Sequence, residues 1–413
     1  MFQRVGAAAY KNDLSNTINL LAALKNPEKD LVCIHIAGTN GKGSTSHMLA
    51  SIFQEAGFKT GLYTSPHLVD FRERIRINGE MVPEQFVIDF TLQNKEVFNK
   101  IGPSFFEMTV AMAFDYFKKE KVDIVILETG MGGRLDSTNV VKPLAALITN
   151  IGFDHTAFLG ETLELIAAEK AGIIKENTPI IISETQVETQ EVFKKKAAEM
   201  HSEIHFADQR TKSELLKEDY SKGISTYKVE SKNYQFEVNL PIMGIYQQKN
   251  LLGVITCIEV LREQFPQIHL EHIITGIEKV KINTGLRGRW EILGQNPLCI
   301  ADTGHNKAGM TYILEQLSKL PYQKLYMVIG MVNDKDISGI LKMLPKDAFY
   351  IFTQAKIPRA LAVEDLYEMA KSIGLQGEKE KDVKAAFIRA KSLANANDIV
   401  FVGGSTFVAA ELV

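Results

Sequence analysis

The sequence predicts an α/β protein with two parallel-sheet units, and three observations carry that expectation. Short apolar runs alternate with amphipathic helical segments along the 413 residues. Polar loops follow most of those runs, as they do at the ligand-binding edge of open parallel sheets. The alternation pauses at one turn-rich stretch, Lys281 to Arg289, and then restarts, which divides the chain into units 1–284 and 285–413.

In the first unit, strands are expected at 31–36, 60–64, 122–128, 144–149 and 179–183. Residues 201–240 differ. Alternation such as Tyr234-Gln235-Phe236-Glu237-Val238 predicts a small antiparallel sheet. Tyr246 to Phe265 reads as a helix with Leu251, Leu252, Ile255, Ile258 and Leu261 on its apolar side. In the second unit, strands are expected at 298–301, 325–329, 348–352 and 399–402, each running into a polar loop. Two such edges facing each other across a hinge would form a closing cleft.

Composition narrows the class of protein. A hydrophobic content of 45% and a charged content of 23% suit a soluble globular chain. A net charge of −3 without a long basic run argues against a general nucleic-acid or anionic-membrane binder. Cys33, Cys257 and Cys299 lie far apart in apolar segments, so they read as core thiols of a reducing compartment. No apolar stretch is long enough to span a bilayer, and the N-terminus lacks a signal-peptide pattern. A cytoplasmic location is expected.

The most informative motif is Gly38-Thr39-Asn40-Gly41-Lys42-Gly43-Ser44-Thr45. It follows an apolar strand and opens an amphipathic helix bearing Met48, Leu49, Ile52 and Phe53, closed by Gly57. Strand, glycine-rich loop and helix N-terminus together cradle phosphate, with backbone N–H groups and the helix dipole facing the anion. Lys42 adds a mobile cation, and Ser44 or Thr45 a hydroxyl for Mg²⁺. The spacing departs from the usual phosphate-loop pattern, because Gly43 separates the lysine from the hydroxyl residue. The first unit is therefore expected to be a P-loop ATPase domain.

Other constellations are less specific. Glu128 ends an apolar strand before Gly130-Met131-Gly132-Gly133-Arg134-Leu135-Asp136, where it can bind Mg²⁺ or cap a solvated turn. His155 follows another strand and is either a ligand or a structural histidine. Ser65-Pro66-His67 is either a site loop or a surface turn, and Ser104-Phe105-Phe106-Glu107 either stacks a flat ring or starts a helix. By composition Lys170 is an ordinary helical lysine beside a carboxylate.

Taken in order, these blocks resemble the folylpolyglutamate synthase/dihydrofolate synthase family of the Mur ligase superfamily. Ser65-Pro66-His67-Leu68, Asp154-His155-Thr156, Glu169-Lys170-Ala171-Gly172 and Asp302-Thr303-Gly304-His305-Asn306 extend the likeness over essentially the whole chain. Thr303 stands where alanine is common. The resemblance implies a C-terminal Rossmann-like domain that ligates glutamate. It implies ATP contacts from Thr39, Asn40, Gly41, Lys42, Gly43, Ser44, Asn250, Arg289 and Asp302, and Mg²⁺ ligation by Ser65, Glu128 and His155. Lys42, His155 and Lys170 would serve catalysis, with Lys170 carbamylated by CO₂. Ser104, Phe105, Leu135, Asp136, Ser137 and His305 would touch the other substrates.

The implied reaction phosphorylates a pterin carboxylate with ATP and lets the amine of L-glutamate attack the acyl phosphate. Dihydropteroate, tetrahydrofolate or both are the expected acceptors, and a bifunctional monomer is the reading adopted. A cell-wall ligase would need an extra N-terminal nucleotide-binding domain, for which the stretch before Gly38 is too short. A nucleotide switch without ligase chemistry would leave the second unit's loops without a purpose.

Overall fold

Apolar runs buried on both faces build the first sheet. The computed structural model describes residues 13–333 and 335–413, so Asp334, in the loop after the predicted strand 325–329, lies outside the described residues. Strands β1 (Cys33–Ala37), β2 (Thr60–Tyr63), β3 (Ile75–Ile77), β4 (Glu80–Met81), β5 (Ile124–Glu128), β6 (Ala145–Ile148), β7 (Ile180–Ile182) and β8 (Ile204–Phe206) lie in the order β4-β3-β2-β5-β1-β6-β7-β8. Pairing is parallel except at the edge, where β3 runs antiparallel to β2 and β4. β1 is central, between β5 and β6, with Ile36 opposite Glu128. The chain leaves β1 in one direction towards β2 and reaches β6 on the other side, and that reversal opens a crevice at the carboxyl edge.

Helices cover both faces. Lys42–Glu55 and Tyr246–Val260 bury Met48, Leu49, Ile52, Leu251 and Ile255 against one face. The antiparallel strands β9 (Lys212–Asp219), β10 (Ile224–Glu230) and β11 (Gln235–Leu240) extend that layer, contributing Tyr227, Phe236 and Val238. The other face carries Phe105–Lys119 on one side and Leu163–Ala171 on the other. Phe53, Phe58 and Phe265 meet edge to face, with ring centres 5.0–5.5 Å apart.

The second sheet holds β12 (Glu291–Gln295), β13 (Leu298–Ala301), β14 (Leu325–Ile329), β15 (Phe349–Phe352), β16 (Gln376–Lys379) and β17 (Ile399–Gly403), in the order β12-β13-β17-β14-β15-β16. Only β12 is antiparallel to its neighbour. Among the described residues no helix is long and apolar enough to cross a membrane. Cys33, Cys257 and Cys299 are buried and unpaired; burial pushes the first two thiols up to about 12 and the third to about 11.

Several expectations shift in detail. The helix from Tyr246 ends at Val260, not Phe265: residues 261–264 continue only as turns, and Pro266 disfavours helical backbone at Phe265 itself. The turn-rich stretch contains a short helix, Val280–Thr284, stopped by Gly285 at φ +66°. Residues 204–206, expected within the antiparallel sheet, instead form β8, parallel to β7 at the edge of the first sheet. Four strands were not anticipated: β3, β4, β12 and β16. They are short, or lie at or next to a sheet edge, where one-sided exposure erases the apolar run.

Candidate active site

The phosphate loop sits where three strands end. Gly41 caps the Lys42–Glu55 helix at φ +85°, a conformation open to glycine, and a Cβ there would overlap the Asn250 amide. The loop after β6 fixes its backbone. Asn150 Oδ1 accepts the Asn40 N–H at 3.0 Å, and the Thr149 hydroxyl donates to the Asn40 carbonyl at 2.6 Å. Thr39 is tied to Gly152 in both directions, at 2.9 and 3.1 Å.

Two lysines meet at this loop. Lys42 Nζ donates to the carbonyls of Gly38 at 3.0 Å and Thr39 at 3.2 Å. Lys170 Nζ donates to the same Gly38 carbonyl at 2.9 Å. Burial first, and then the charge of Lys42, bring the Lys170 amine down to about 7. The hydroxyls of Ser44 and Thr45 are fully buried and have no hydrogen-bond partner among the described residues, which is rare for such groups.

Glu128 lies at the tip of β5 and is 4% exposed. Burial raises its carboxyl to about 7, opposed by Lys42, Arg289, the Ser65 N–H and Arg74. Gly43 passes between Arg289 and Glu128. Asp302, beyond β13, accepts the Tyr246 hydroxyl at 2.7 Å, the Trp290 N–H at 2.8 Å and the Gly304 N–H at 2.7 Å. Arg289 donates to the Thr303 hydroxyl. One cavity is lined by the phosphate loop, Ser65, Glu128 and Asn250 from the first unit, and by Arg289, Asp302 and His305 from the second.

The remaining candidates fall into two other groups. His155 has left-handed backbone at φ +51° and stands beside Asp154. Burial lowers its imidazole to about 4, opposed by Asp154 and reinforced by Lys335, His305 and Lys170. Burial pushes Asp154 up, but its hydrogen bond to His305 and the charge of Lys335 hold it well below the usual carboxylate range. Neither His155 nor Lys170 lines the cavity, and the second group also lies outside it. Ser104 forms a capping box with Glu107, and Phe105 packs edge-on against Phe71 with Arg74 5.6 Å from its ring centre. The Phe106 ring lies against Gly130, so this helix start adjoins the loop carrying Leu135, Asp136 and Ser137. The Asp136 carboxylate is taken up within that loop by the N–H groups of Gly130, Met131 and Thr138 and the Thr138 hydroxyl.

Sequence reasoning missed several residues of the cavity wall. Tyr246, Lys249, Glu184 and Tyr312 line it, and Lys249 bonds Glu184 at 2.5 Å and the Tyr312 hydroxyl at 2.8 Å. They sit in ordinary helical or strand-end contexts, with no motif to mark them. Lys335 was visible only as part of a polar loop.

A divalent cation can be tested against these donors. Among the described residues no three His, Cys, Asp or Glu side chains converge as a metal cage. Glu128 and the unpartnered Ser44 hydroxyl are hard oxygen donors beside a phosphate cradle. That set fits a cation whose remaining ligands come from phosphate and water.

Similarity to known proteins agrees with this arrangement. The pattern of the Mur ligase middle domain matches residues 36–258, and that of the Mur ligase glutamate ligase domain matches 288–406. The dihydrofolate synthase/folylpolyglutamate synthase of Bacillus subtilis (strain 168) is 34% identical, covering 97% of this chain and 94% of its own. The enzyme of the same name from Escherichia coli (strain K12) is 34% identical over 90% and 83% of the two chains. The structure of Escherichia coli FolC in complex with ADP, without folate substrate, matches with a TM-score of 0.86 at 30% identity, covering 97% and 93%. A bifunctional folylpolyglutamate synthase/dihydrofolate synthase with Mn, AMPPNP and L-glutamate bound matches with a TM-score of 0.83 at 29% identity, over 97% and 93%. The chain belongs to the Mur ligase family of ATP-dependent ligases, in its dihydrofolate synthase/folylpolyglutamate synthase branch.

Proposed function

We propose that this chain joins L-glutamate to the carboxylate of a dihydropteroate or folate acceptor, using ATP and passing through an acyl phosphate. The observation that carries the reading is the single cavity in which the phosphate loop, Glu128, Arg289 and Asp302 face one another from both units. The reading divides the chain at 284/285 and takes it as a monomeric, cytoplasmic, bifunctional enzyme, in keeping with relatives named for both activities.

In this mechanism the N–H groups of 40–44 and the Lys42 ammonium hold the phosphates of ATP. Asn250 and Asp302 orient the nucleoside, and Arg289 draws charge from the transferred phosphoryl group. Glu128, Ser44 and Ser65, with His155 as the further ligand the family resemblance implies, would hold Mg²⁺. A cation held there would supply charge neutralisation to the phosphates of ATP. Ser104, Phe105, Leu135, Asp136 and Ser137 would form the acceptor's binding region, with His305 on the glutamate side. Closing the two units excludes water, which would otherwise hydrolyse the acyl phosphate.

Lys170 is proposed to react as its neutral amine with CO₂, forming an N–C bond and releasing one proton, to give a carbamate. The lowered amine pKa supports this, since about half of the side chain is unprotonated near neutrality. The test is glutamate-dependent ADP release with dihydropteroate and with tetrahydrofolate, with product masses checked. Release with both acceptors is expected. Release with one removes bifunctionality, and release with neither removes the substrate assignment.

A further inference from the structure

Where the phosphate loop meets the second sheet, two asparagine side chains face each other. Asn40 Nδ2 donates to Asn306 Oδ1 at 3.2 Å, and Asn306 Nδ2 donates back to Asn40 Oδ1 at 3.1 Å. The same Asn306 amide reaches Asp154 Oδ2 at 3.2 Å, and its oxygen accepts the Gly309 N–H at 2.8 Å as N-cap of the Lys307–Lys319 helix. Asp154 in turn takes the Lys335 ammonium at 2.5 Å and His305 at 3.5 Å. Asn40 and Asp154 belong to loops after β1 and β6; Asn306, His305 and Lys335 belong to loops after β13 and β14. The contact therefore ties the carboxyl edges of the two sheets together.

Its position makes it more than adhesion. The backbone that carries the Asn40 amide is the backbone that would grip phosphate, and it is pinned on the far side by Thr149 and Asn150. Asn306 is 4% exposed, so separating the units would hand each of these bonds back to water. We propose that Asn306 is a positioning residue: its paired amide with Asn40, backed by Asp154 and Lys335, couples the conformation of the phosphate loop to closure of the second unit. Nucleotide on the loop would thereby favour the closed arrangement in which the acyl phosphate is shielded.

The plain alternative is that Asn306 only caps its helix. Asn306→Asp separates the two, because aspartate caps as well as asparagine. It cannot donate to Asn40, and it sets a carboxylate against Asp154. Asn306→Ser keeps a cap without the charge and serves if the first variant folds poorly. The inference rests on the nucleotide reading of the phosphate loop, and X-ray scattering with AMPPNP distinguishes the two. Wild type is expected to bind AMPPNP and become more compact. The variants are expected to stay folded at the assay temperature, with aspartate melting lower than serine, to bind AMPPNP but compact less, and to lose about 10- to 100-fold in kcat, more for aspartate than serine. Variants that compact and turn over like wild type overturn the coupling. So does activity lost only in proportion to melting temperature. Wild type that binds but does not compact overturns it as well, whereas wild type that binds no nucleotide removes the nucleotide reading itself.

Discussion

Replacing Lys170 with methionine separates two consequences of one buried amine. The side chain is 3% exposed, and its amine is brought from 10.5 to about 7, by burial first and Lys42 second. Between those values the unfolded chain carries a proton that the folded chain lacks. Stability of the unmodified protein should therefore rise with pH across this window and level off below about 7. At about pH 7.5 the cost of keeping the amine buried is roughly three pH units at about 1.4 kcal/mol each, or about 4 kcal/mol. Losing the bond to the Gly38 carbonyl returns about 1 kcal/mol of that. Lys170→Met should thus gain about 3 kcal/mol in CO₂-free buffer near pH 7.5 and flatten the pH slope above neutrality. It should also lose turnover and the carbamate resonance seen in wild type supplied with carbon-13 CO₂. Urea unfolding at several pH values, ADP release and carbon-13 NMR give the readouts. A variant that keeps wild-type turnover, or one whose stability follows pH as wild type does, refutes the argument.

Three further outcomes are expected. Glu128→Gln should abolish turnover and flatten the fall in stability that wild type shows as pH rises from 4.5 to about 7, where the folded carboxyl keeps a proton the unfolded one has lost; urea titrations across that range and ADP release check it. Gly41→Ala forces a side chain into the φ +85° position against Asn250 and should weaken AMPPNP binding by at least about 10-fold, read by calorimetry. Ser104→Ala removes the hydroxyl that accepts the Glu107 N–H at 3.2 Å and should cost about 1 kcal/mol in urea unfolding; a rise in acceptor KM without a change in ATP KM would place Ser104 beside the pterin.

What could be read from the chain depended on whether a residue acts locally. Gly38 to Thr45 announced itself because the strand, loop and helix that make a phosphate cradle are contiguous. The buried strands β1, β5, β6 and β14 were equally legible, since burial on both faces leaves an unbroken apolar run. Strands β3 and β4 were missed although Asn78-Gly79 joins them with both residues at positive φ, the preferred chemistry of a two-residue hairpin turn. β16, with the sequence Gln376-Gly377-Glu378-Lys379, carries no apolar signal at all. The site was legible in the same uneven way. Nothing in the sequence around Lys170 tells that its amine shares the Gly38 carbonyl with Lys42, because 132 residues separate donor and acceptor. Asp154 meeting Lys335 is likewise a product of two sheets being brought edge to edge.

The three cysteines have a practical corollary. A thiol attacks oxidants and alkylating reagents as its thiolate, and these thiols, raised to about 11 or 12, carry almost none at neutral pH. Burial also denies reagents access to them. The folded protein should therefore ignore peroxide and maleimide at its native cysteines. A single cysteine introduced on each unit's surface would then be the reactive pair, ready to carry dyes that report the distance between the two sheets during turnover.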